Sequence, residues 1–351
     1  MTVAWMALHL PKTAIQSYMR IDWDTVGRCI DRAKKEVDPD DKRRLQNLVN
    51  IGVDETSYRK GYKYITVVVN HDTGELVWCA EGYGSNVFSA FIDQLTPEQR
   101  AKIKIVTGDG AKWIDNQMPR LPNATRCVDK FHVVQWLTEA LDSVRREIWQ
   151  QCARATRTAK AAVTAAKKAY ELATKSDADN QQELKEAVEA ATVAHQQAAD
   201  AAKNIKGARY PLGKAFDNLT QNQKIRLDAI AASDSRLYRA YKLKEKLRVL
   251  LQTNDPEAFE AGLKGWLRSA RLSRIEQFVD LAKKIDERTW QIKNTLATGM
   301  SNARVEGMNS KIKLTIRKAR GFRTVEALNS MLMLVCSKIC IPLPGRKPCP
   351  A

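Results

Sequence analysis

Residues 48–81 read LVNIGVDETSYRKGYKYITVVVNHDTGELVWCAE, and the reading of this stretch decides the fold. The apolar run 48–53 is a strand expected to end at Asp54. Residues 62–69 are rich in β-branched and aromatic side chains, which fit a pleated, half-buried surface. His71-Asp72-Thr73-Gly74 reads as a turn and residues 75–81 alternate, so the second and third strands form a hairpin. Downstream, residues 86–95 carry apolar side chains at helical spacing, and 103–107 form a short buried strand leading into Gly108-Asp109-Gly110. Residues 112–118 look helical, 124–128 make a fifth strand, and a long helix from Asp129 is expected to run to about Cys152.

A hairpin followed by alternating strands and helices implies an α/β fold: a mixed sheet with helices on both faces. This element order is that of the ribonuclease-H-like fold. Residues 48–153 would be its first part and residues 300–337, with a basic helix, its last. A large all-α insertion separates them. Its first section, 154–203, lacks Gly and Pro and is dominated by Ala, Lys, Gln and Glu. Val163, Ala166, Tyr170 and Ala173 step by three and four, as do Leu184, Ala187, Ala191, Ala194, Ala198 and Ala201. The spacing predicts a helical hairpin with a thin alanine seam, turning at residues 176–180. A solvated spacer is its plain reading, and an arm for dimerisation or DNA contact the alternative. Residues 204–299 continue as amphipathic helices, and the Pro-rich 338–351 read as a disordered tail.

Ahead of the sheet, residues 1–37 form three short amphipathic stretches, with Asp22 and Asp24 at N-cap positions before the third. Helix, tight turn at 20–24 and second helix match a helix-turn-helix, whose second helix would offer Arg28, Arg32, Lys34 and Lys35 outward. A plain three-helix cap on the next domain fits the same pattern. Asp38-Pro39-Asp40-Asp41 reads as a linker.

The chain has 58 Lys and Arg against 40 Asp and Glu, a formal charge of +18, which points to a polyanionic partner. No apolar run is long enough for a bilayer, and residues 1–10 lack a basic leader and a cleavage site. A cytoplasmic protein is expected, held on the bacterial nucleoid when bound to DNA. Seven scattered cysteines form no Cys-x-x-Cys pair, so all are read as reduced packing residues.

Three acids stand out by position: Asp54 and Asp109 after apolar strands, and Glu306 near the start of a basic helix. Carboxylates at neighbouring strand ends must be neutralised or put to use. Phosphodiester cleavage develops charge on both the attacking and the leaving oxygen, and two divalent ions can stabilise both. Mg²⁺ takes such hard oxygen ligands. Spacing alone leaves the plain reading open, with Asp109 a turn former and Glu306 a helix N-terminal charge. Between residues 304 and 323 lie Arg304, Lys311, Lys313, Arg317, Lys318, Arg320 and Arg323 against one acid. Lys313, Arg317 and Arg320 fall on one helical stripe, either a solvated basic face or a phosphate-binding one. Trp113 is expected to pack its helix onto the sheet. His132 stands near a helix start, structural or beside the site, with no proton-transfer role assigned.

A longer ordered set of motifs resembles the ISL3 family of bacterial insertion-sequence transposases, of the Asp-Asp-Glu class, over nearly the whole chain. Its members are Gly52-Val53-Asp54-Glu55 with Lys60-Gly61-Tyr62, Pro122-Asn123-Ala124, and residues 128–134 (VDKFHVV). Arg209-Tyr210-Pro211-Leu212, residues 237–244 (LYRAYKLK), 301–313 (SNARVEGMNSKIK) and 317–323 (RKARGFR) complete it. The resemblance implies that Asp54, Asp109 and Glu306 are a catalytic triad holding two Mg²⁺ or Mn²⁺ ions. It further implies strand cleavage at transposon ends, strand transfer into target DNA, and a homodimer or higher assembly on double-stranded DNA. Arg28, Arg32, Arg304, Lys311, Lys313, Arg317, Lys318 and Arg320 are the expected DNA contacts. Two departures stand out: no cysteine precedes residue 29, where the family carries a zinc-binding region, and the run 154–203 is long. The first raises the alternative of a truncated or domesticated copy that binds ends without catalysis. A structure-selective nuclease on the same fold is the other alternative.

Overall fold

The structure is a computed structural model describing residues 1–40, 42–175, 180–253, 255–339 and 341. The chain divides into two compact units, one made of residues 1–132 and 290–351, the other of residues 133–289.

The first unit opens with α1 (Thr2–His9), α2 (Lys12–Met19) and α3 (Trp23–Val37). Asp22 caps α3, its carboxylate accepting the Thr25 N–H at 2.8 Å, whereas Asp24 lies inside the first turn and pairs with Arg323 at 2.6 Å. A five-stranded sheet follows: β1 (Asn50–Arg59), β2 (Lys63–Asn70), β3 (Glu75–Glu81), β4 (Ile105–Gly108) and β5 (Thr125–Val128). The strand order is β3-β2-β1-β4-β5. β1, β2 and β3 pair antiparallel, while β1, β4 and β5 run parallel. Between β3 and β4 lie α4 (Ser85–Asp93) and α5 (Pro97–Lys102), the latter started by a Thr96–Gln99 capping box. α6 (Lys112–Asp115) precedes β5, and α7 (Lys130–Lys175) leaves the unit.

The helices of the second unit, after α7, are α8 (Gln181–Gly207), α9 (Arg209–Gly213), α10 (Gln221–Ser233), α11 (Ser235–Leu250), α12 (Pro256–Leu272) and α13 (Glu276–Asp286). Its apolar faces are buried through Leu237, Leu247, Phe259, Trp266 and Phe278. The buried Lys244 ammonium donates to the carbonyls of Leu212 and Lys214 and pairs with Glu245 at 2.7 Å. α14 (Thr289–Thr298) leads back to the first unit, which ends with α15 (Ala303–Ala319) and α16 (Val325–Cys336).

Helices cover both faces of the sheet. Ile51, Val53, Val68 and Val106 pack against Phe88, Phe91 and Ile92 of α4 and Ile114 of α6. Ile65, Val67, Val69 and Leu76 pack on the other face against Val305, Met308 and Ile312 of α15 and Leu328 and Leu332 of α16. β3 serves both faces because a bulge opposite Val68 and Val69 turns Val77 and Trp78 to the same side. Trp113 packs edge-on to Phe88, as its expected packing role requires. The three N-terminal helices share a core with α16, in which Val3, Ile15, Val26 and Ile30 meet Met331 and Leu334.

The structure corrects several expectations. β1 does not end at Asp54 but runs on to Arg59, because Thr56, Ser57 and Arg59 continue its pairing with β2 although the apolar run has stopped. The helix from residue 130 does not end near Cys152. With no Gly or Pro to break it, α7 continues to Lys175. In α8 the stripe turned from solvent is Leu184, Val188, Ala191, His195, Ala198, Ala202 and Ile205, so the expected seam keeps Leu184, Ala191 and Ala198, while Ala187, Ala194 and Ala201 are exposed. The turn placed at residues 176–180 lies outside the described residues except for Asn180. Of the tail, Lys338, Ile339 and Ile341 are described, and Ile341 joins the N-terminal core. The remainder lies outside the described residues. Cys79, Cys127 and Cys336 are buried free thiols, Cys29 and Cys152 half-buried ones, and Cys340 and Cys349 are outside the described residues.

The approach of α15 to β1 depends on Gly52. A Cβ there would lie 2.3 Å from Val305 Cγ2 and 2.6 Å from His71 Nε2. Gly52→Ala is expected to destabilise the protein by about 1–3 kcal/mol through overpacking. Urea unfolding checks this, and Val305→Ala on the Gly52→Ala background should recover part of the loss. An unperturbed midpoint for the single variant would contradict the close approach.

Candidate active site

Asp54 sits in the middle of β1 with its side chain on the face covered by α15. Its Oδ1 accepts the Glu55 N–H at 2.8 Å, and its Oδ2 accepts from Asn309 Nδ2 at 2.7 Å. Asn309 lies three residues after Glu306, on neighbouring positions of α15. Asp109 follows β4, with Oδ1 accepting the Ala111 N–H at 3.0 Å in an Asx turn. The loop is fixed from below by Arg126. This fully buried guanidinium donates to the carbonyls of Asp109 and Cys127 and pairs with Asp115 at 3.1 Å. Gly108 allows the loop its place: a Cβ there would stand 2.8 Å from the Val53 carbonyl oxygen.

The electrostatics tie the two aspartates together. Burial pushes the Asp54 carboxyl above its usual range, and the charge of Asp109 adds to the rise. Hydrogen bonds from Glu55 and Asn309 and the nearby His132 oppose it. Glu55, on the opposite face of β1, feels the same field. Burial first, then Asp109 and Asp54, raise it to about 7, against a favourable contact with Trp113. His132, in the first turn of α7, has its Nε2 buried with no hydrogen-bond partner. Its effect on the Asp54 carboxyl places it beside the site.

Glu306 is half-buried, and its Oε1 is buried without a partner. The start of α15 is anchored by a polar chain. His71 Nε2 and Thr107 Oγ1 lie 2.6 Å apart, Thr107 donates to Asn302 Oδ1 at 2.8 Å, and the Asn302 N–H donates to Asp129 at 2.5 Å. Arg304 donates to the carbonyls of His71 and Asp72. Burial, with Arg304 adding, holds His71 below its ordinary range, in keeping with a neutral ring bonded to a hydroxyl.

The donor chemistry fits a hard divalent cation: the carboxylate oxygens of Asp54, Asp109 and Glu306, with burial pushing Asp54 toward protonation and an orphaned oxygen on Glu306. The spacing is not closed. Among the described residues no three His, Cys, Asp or Glu side chains form a group that could hold one metal ion. Asp54 and Asp109 are brought together, and Glu306 is brought to the same face of β1 without joining them.

The expected DNA contacts divide. Arg28, Arg32, Lys311, Lys313, Arg317 and Arg320 are exposed. Arg28 bonds Thr25 at 2.7 Å, and Lys34, offered outward by the sequence, instead pairs with Asp38 at 3.6 Å. Arg304 is taken up by the two carbonyls above, and Lys318 donates to the Leu8 carbonyl at 2.6 Å, tying α1 to α15. Arg320 is not on the helix, as the stripe required. It caps α15 in the left-handed conformation, φ 57°, because Gly321 follows and the chain turns away. Sequence reasoning missed Glu55, His71, Thr107, Arg126, Asn302 and Asn309 as site residues. Only Asn309 carried a usable signal, its spacing of three from Glu306 on a helix.

A family profile described as a transposase, DDE class of the ISL3 group, matches residues 51–332. The chain is 38% identical over 350 residues to the transposase for insertion sequence element IS1557 of Mycobacterium tuberculosis, covering 98% of this chain and 72% of that protein. It is 24% identical over 318 residues to the transposase for insertion sequence element IS1001 of Bordetella parapertussis, covering 89% of this chain and 66% of that one. No solved structure matches.

Glu55 gives the site a pH signature. Its folded value of about 7 lies above the ordinary 4.5, so the folded protein holds a proton that the unfolded chain releases. Without divalent ions, stability is therefore greatest below the unfolded value and falls as pH rises through the folded one. Urea unfolding at about pH 5 and about pH 8 should show that loss, and Glu55→Gln should shrink it. An identical pH dependence in the variant would contradict the assignment.

Proposed function

This chain belongs to the ISL3 family of insertion-sequence transposases, enzymes that cleave DNA and transfer strands, and on that premise we propose that Asp54, Asp109 and Glu306 are its catalytic triad. One observation carries the reading. Asn309 bonds Asp54 from the helix that bears Glu306, while Asp109 acts on Asp54 by its charge.

The triad would hold two Mg²⁺ or Mn²⁺ ions, which would supply Lewis acidity to the attacking and leaving oxygens of a phosphodiester. Asp54 is aimed by Asn309 and by the Glu55 N–H, Asp109 by its own turn over Arg126, and Glu306 by the anchored start of α15. The two aspartates stand together, and α15 carries Glu306 to the same face of β1. No protein side chain bonds to DNA in the reaction: water cuts at the transposon end and the freed 3′-hydroxyl attacks target DNA. The strand order and the helices on both faces support a ribonuclease-H-like catalytic domain, assembled from residues 48–153 and 300–337 around the helical insertion. α2 and α3 form a helix-turn-helix offering Arg28 and Arg32, and α15 offers Lys311, Lys313 and Arg317, to double-stranded DNA. Assembly on paired ends requires a dimer or larger. No helix among the described residues is long and apolar enough to cross a membrane.

Asp109→Asn and Glu306→Gln should abolish excision in a plasmid assay while leaving DNA affinity equal or higher, since each removes a negative charge near phosphate. Mg²⁺ should raise the melting temperature of the unsubstituted protein and not of Asp54→Asn. Equal excision by Asp109→Asn would reduce the chain to a DNA-binding protein without catalysis. Lys313→Ala with Arg317→Ala should lower the magnitude of the salt slope of DNA binding by about 2. An unchanged slope in a gel-shift series would show that these side chains do not touch phosphate.

A further inference from the structure

β1 and α15 run side by side away from the carboxylates. Asp54 meets Asn309 at one end. Arg59 is five residues further along β1, about 16 Å at strand rise, and Arg320 is eleven residues further along α15, again about 16 Å at helical rise. The two arginines meet in a cavity of about 550 Å³. Trp23 from the start of α3, Tyr58 from β1, and Phe322 and Arg323 from the loop after α15 complete its wall.

The composition of this cavity is unlike that of the carboxylate site. Three guanidiniums and three aromatic side chains line it, and no acid does. Arg323 is occupied by Asp24, whereas the guanidiniums of Arg59 and Arg320 make no hydrogen bond or ion pair with the described residues, their only hydrogen bonds being those of their backbones. The wall is held by a buried lysine. The Lys12 ammonium lies 5.2 Å from the Trp23 ring centroid and 4.6 Å from that of Phe322, which locks α2 to the loop. Tyr58 is fixed by its hydroxyl bond to Glu81 at 2.6 Å. Arg320 occupies positive φ, a conformation costly for arginine, and so presents its side chain at the cavity instead of continuing the helix. From Glu306 the exposed positions Ser310, Lys313 and Arg317 follow one another at helical spacing along α15 and lead to Arg320.

Unpaired guanidiniums bind phosphate oxygens in forked pairs, and aromatic side chains stack on bases whatever their identity. Duplex DNA hides its base faces, so a basic cavity with an aromatic wall fits a nucleotide that has left the stack. We propose that this cavity seats an unpaired nucleotide of the DNA strand that runs from the carboxylates along α15. Its base would rest against Trp23, Tyr58 or Phe322, with its phosphate on Arg59 and Arg320. The proposal rests on the reading of the chain as an enzyme that acts on DNA.

The test uses the full chain and two probes: a blunt duplex, and the same duplex with an unpaired extension of roughly three nucleotides on either strand, carrying 2-aminopurine in the extension. The unsubstituted protein should bind one extended probe about tenfold more tightly than the blunt one and quench its 2-aminopurine. Arg59→Gln with Arg320→Gly should remove the quenching and make the affinities for the two probes equal, whatever loss is common to both. Glycine suits the positive φ of residue 320, so folding is kept. Should the unsubstituted protein bind blunt duplex with no preference for either extension, the cavity has another use and the DNA reading stands. Preference and quenching that survive in the double variant would move the nucleotide elsewhere. Failure to bind any DNA at low salt would overturn both.

Discussion

The contact between Gly52 and Val305 is the constraint on which the rest of the first unit depends. Only a residue without a side chain lets α15 lie so close to the middle of β1. That closeness brings Asn309 onto Asp54 and leaves Glu306 on the same face. The helix is then held in register by polar groups rather than by apolar packing alone. Asn302 is fully buried at its start and bonds both Thr107 on β4 and Asp129 beyond β5. Bonds of this kind contribute about 1 kcal/mol each, but leaving such buried groups unpaired costs more, so they specify one position for the helix. Through Thr107 and His71 the same chain reaches the β2–β3 turn, which Arg304 clasps from above. A buried polar network thus aligns the carrier of Glu306 against three strands.

Arg126 plays a comparable part for Asp109. A fully buried guanidinium is costly unless every donor is used, and here backbone carbonyls and Asp115 use them. Removing one partner of such a pair typically costs about 3–5 kcal/mol. The loop that carries Asp109 is therefore held on several sides, while Glu306 keeps a buried oxygen without a hydrogen-bond partner.

Much of this was legible in the chain itself. The β-branched run 62–69 and the turn at Gly74 marked the hairpin, and Gly108-Asp109-Gly110 marked a loop carrying an acid. Membership of a transposase family followed from ordered motifs. What was hidden depended on partners distant in sequence. The extent of β1 was hidden because its outer half is stabilised by pairing with β2 rather than by its own apolarity. The role of Gly52 required knowing that Val305 would lie above it. Glu55 looked like a bystander next to Asp54, and its high proton affinity comes first from burial and then from Asp109, which arrives after another strand. Arg304 and Lys318 looked like two more members of a basic face, and backbone carbonyls of His71 and Leu8 claim them instead.

The first unit is written in two instalments, with the whole second unit encoded between them. As the chain leaves the ribosome, β1–β5 are made early, yet the face formed by Ile65, Val67, Val69 and Leu76 has no cover until α15 and α16 follow. Such long-range closure is slow, and its exposed apolar surface is prone to aggregation in the interval. Asn309, which bonds Asp54, arrives only with α15, so the surroundings of Asp54 are completed after the whole second unit has been made.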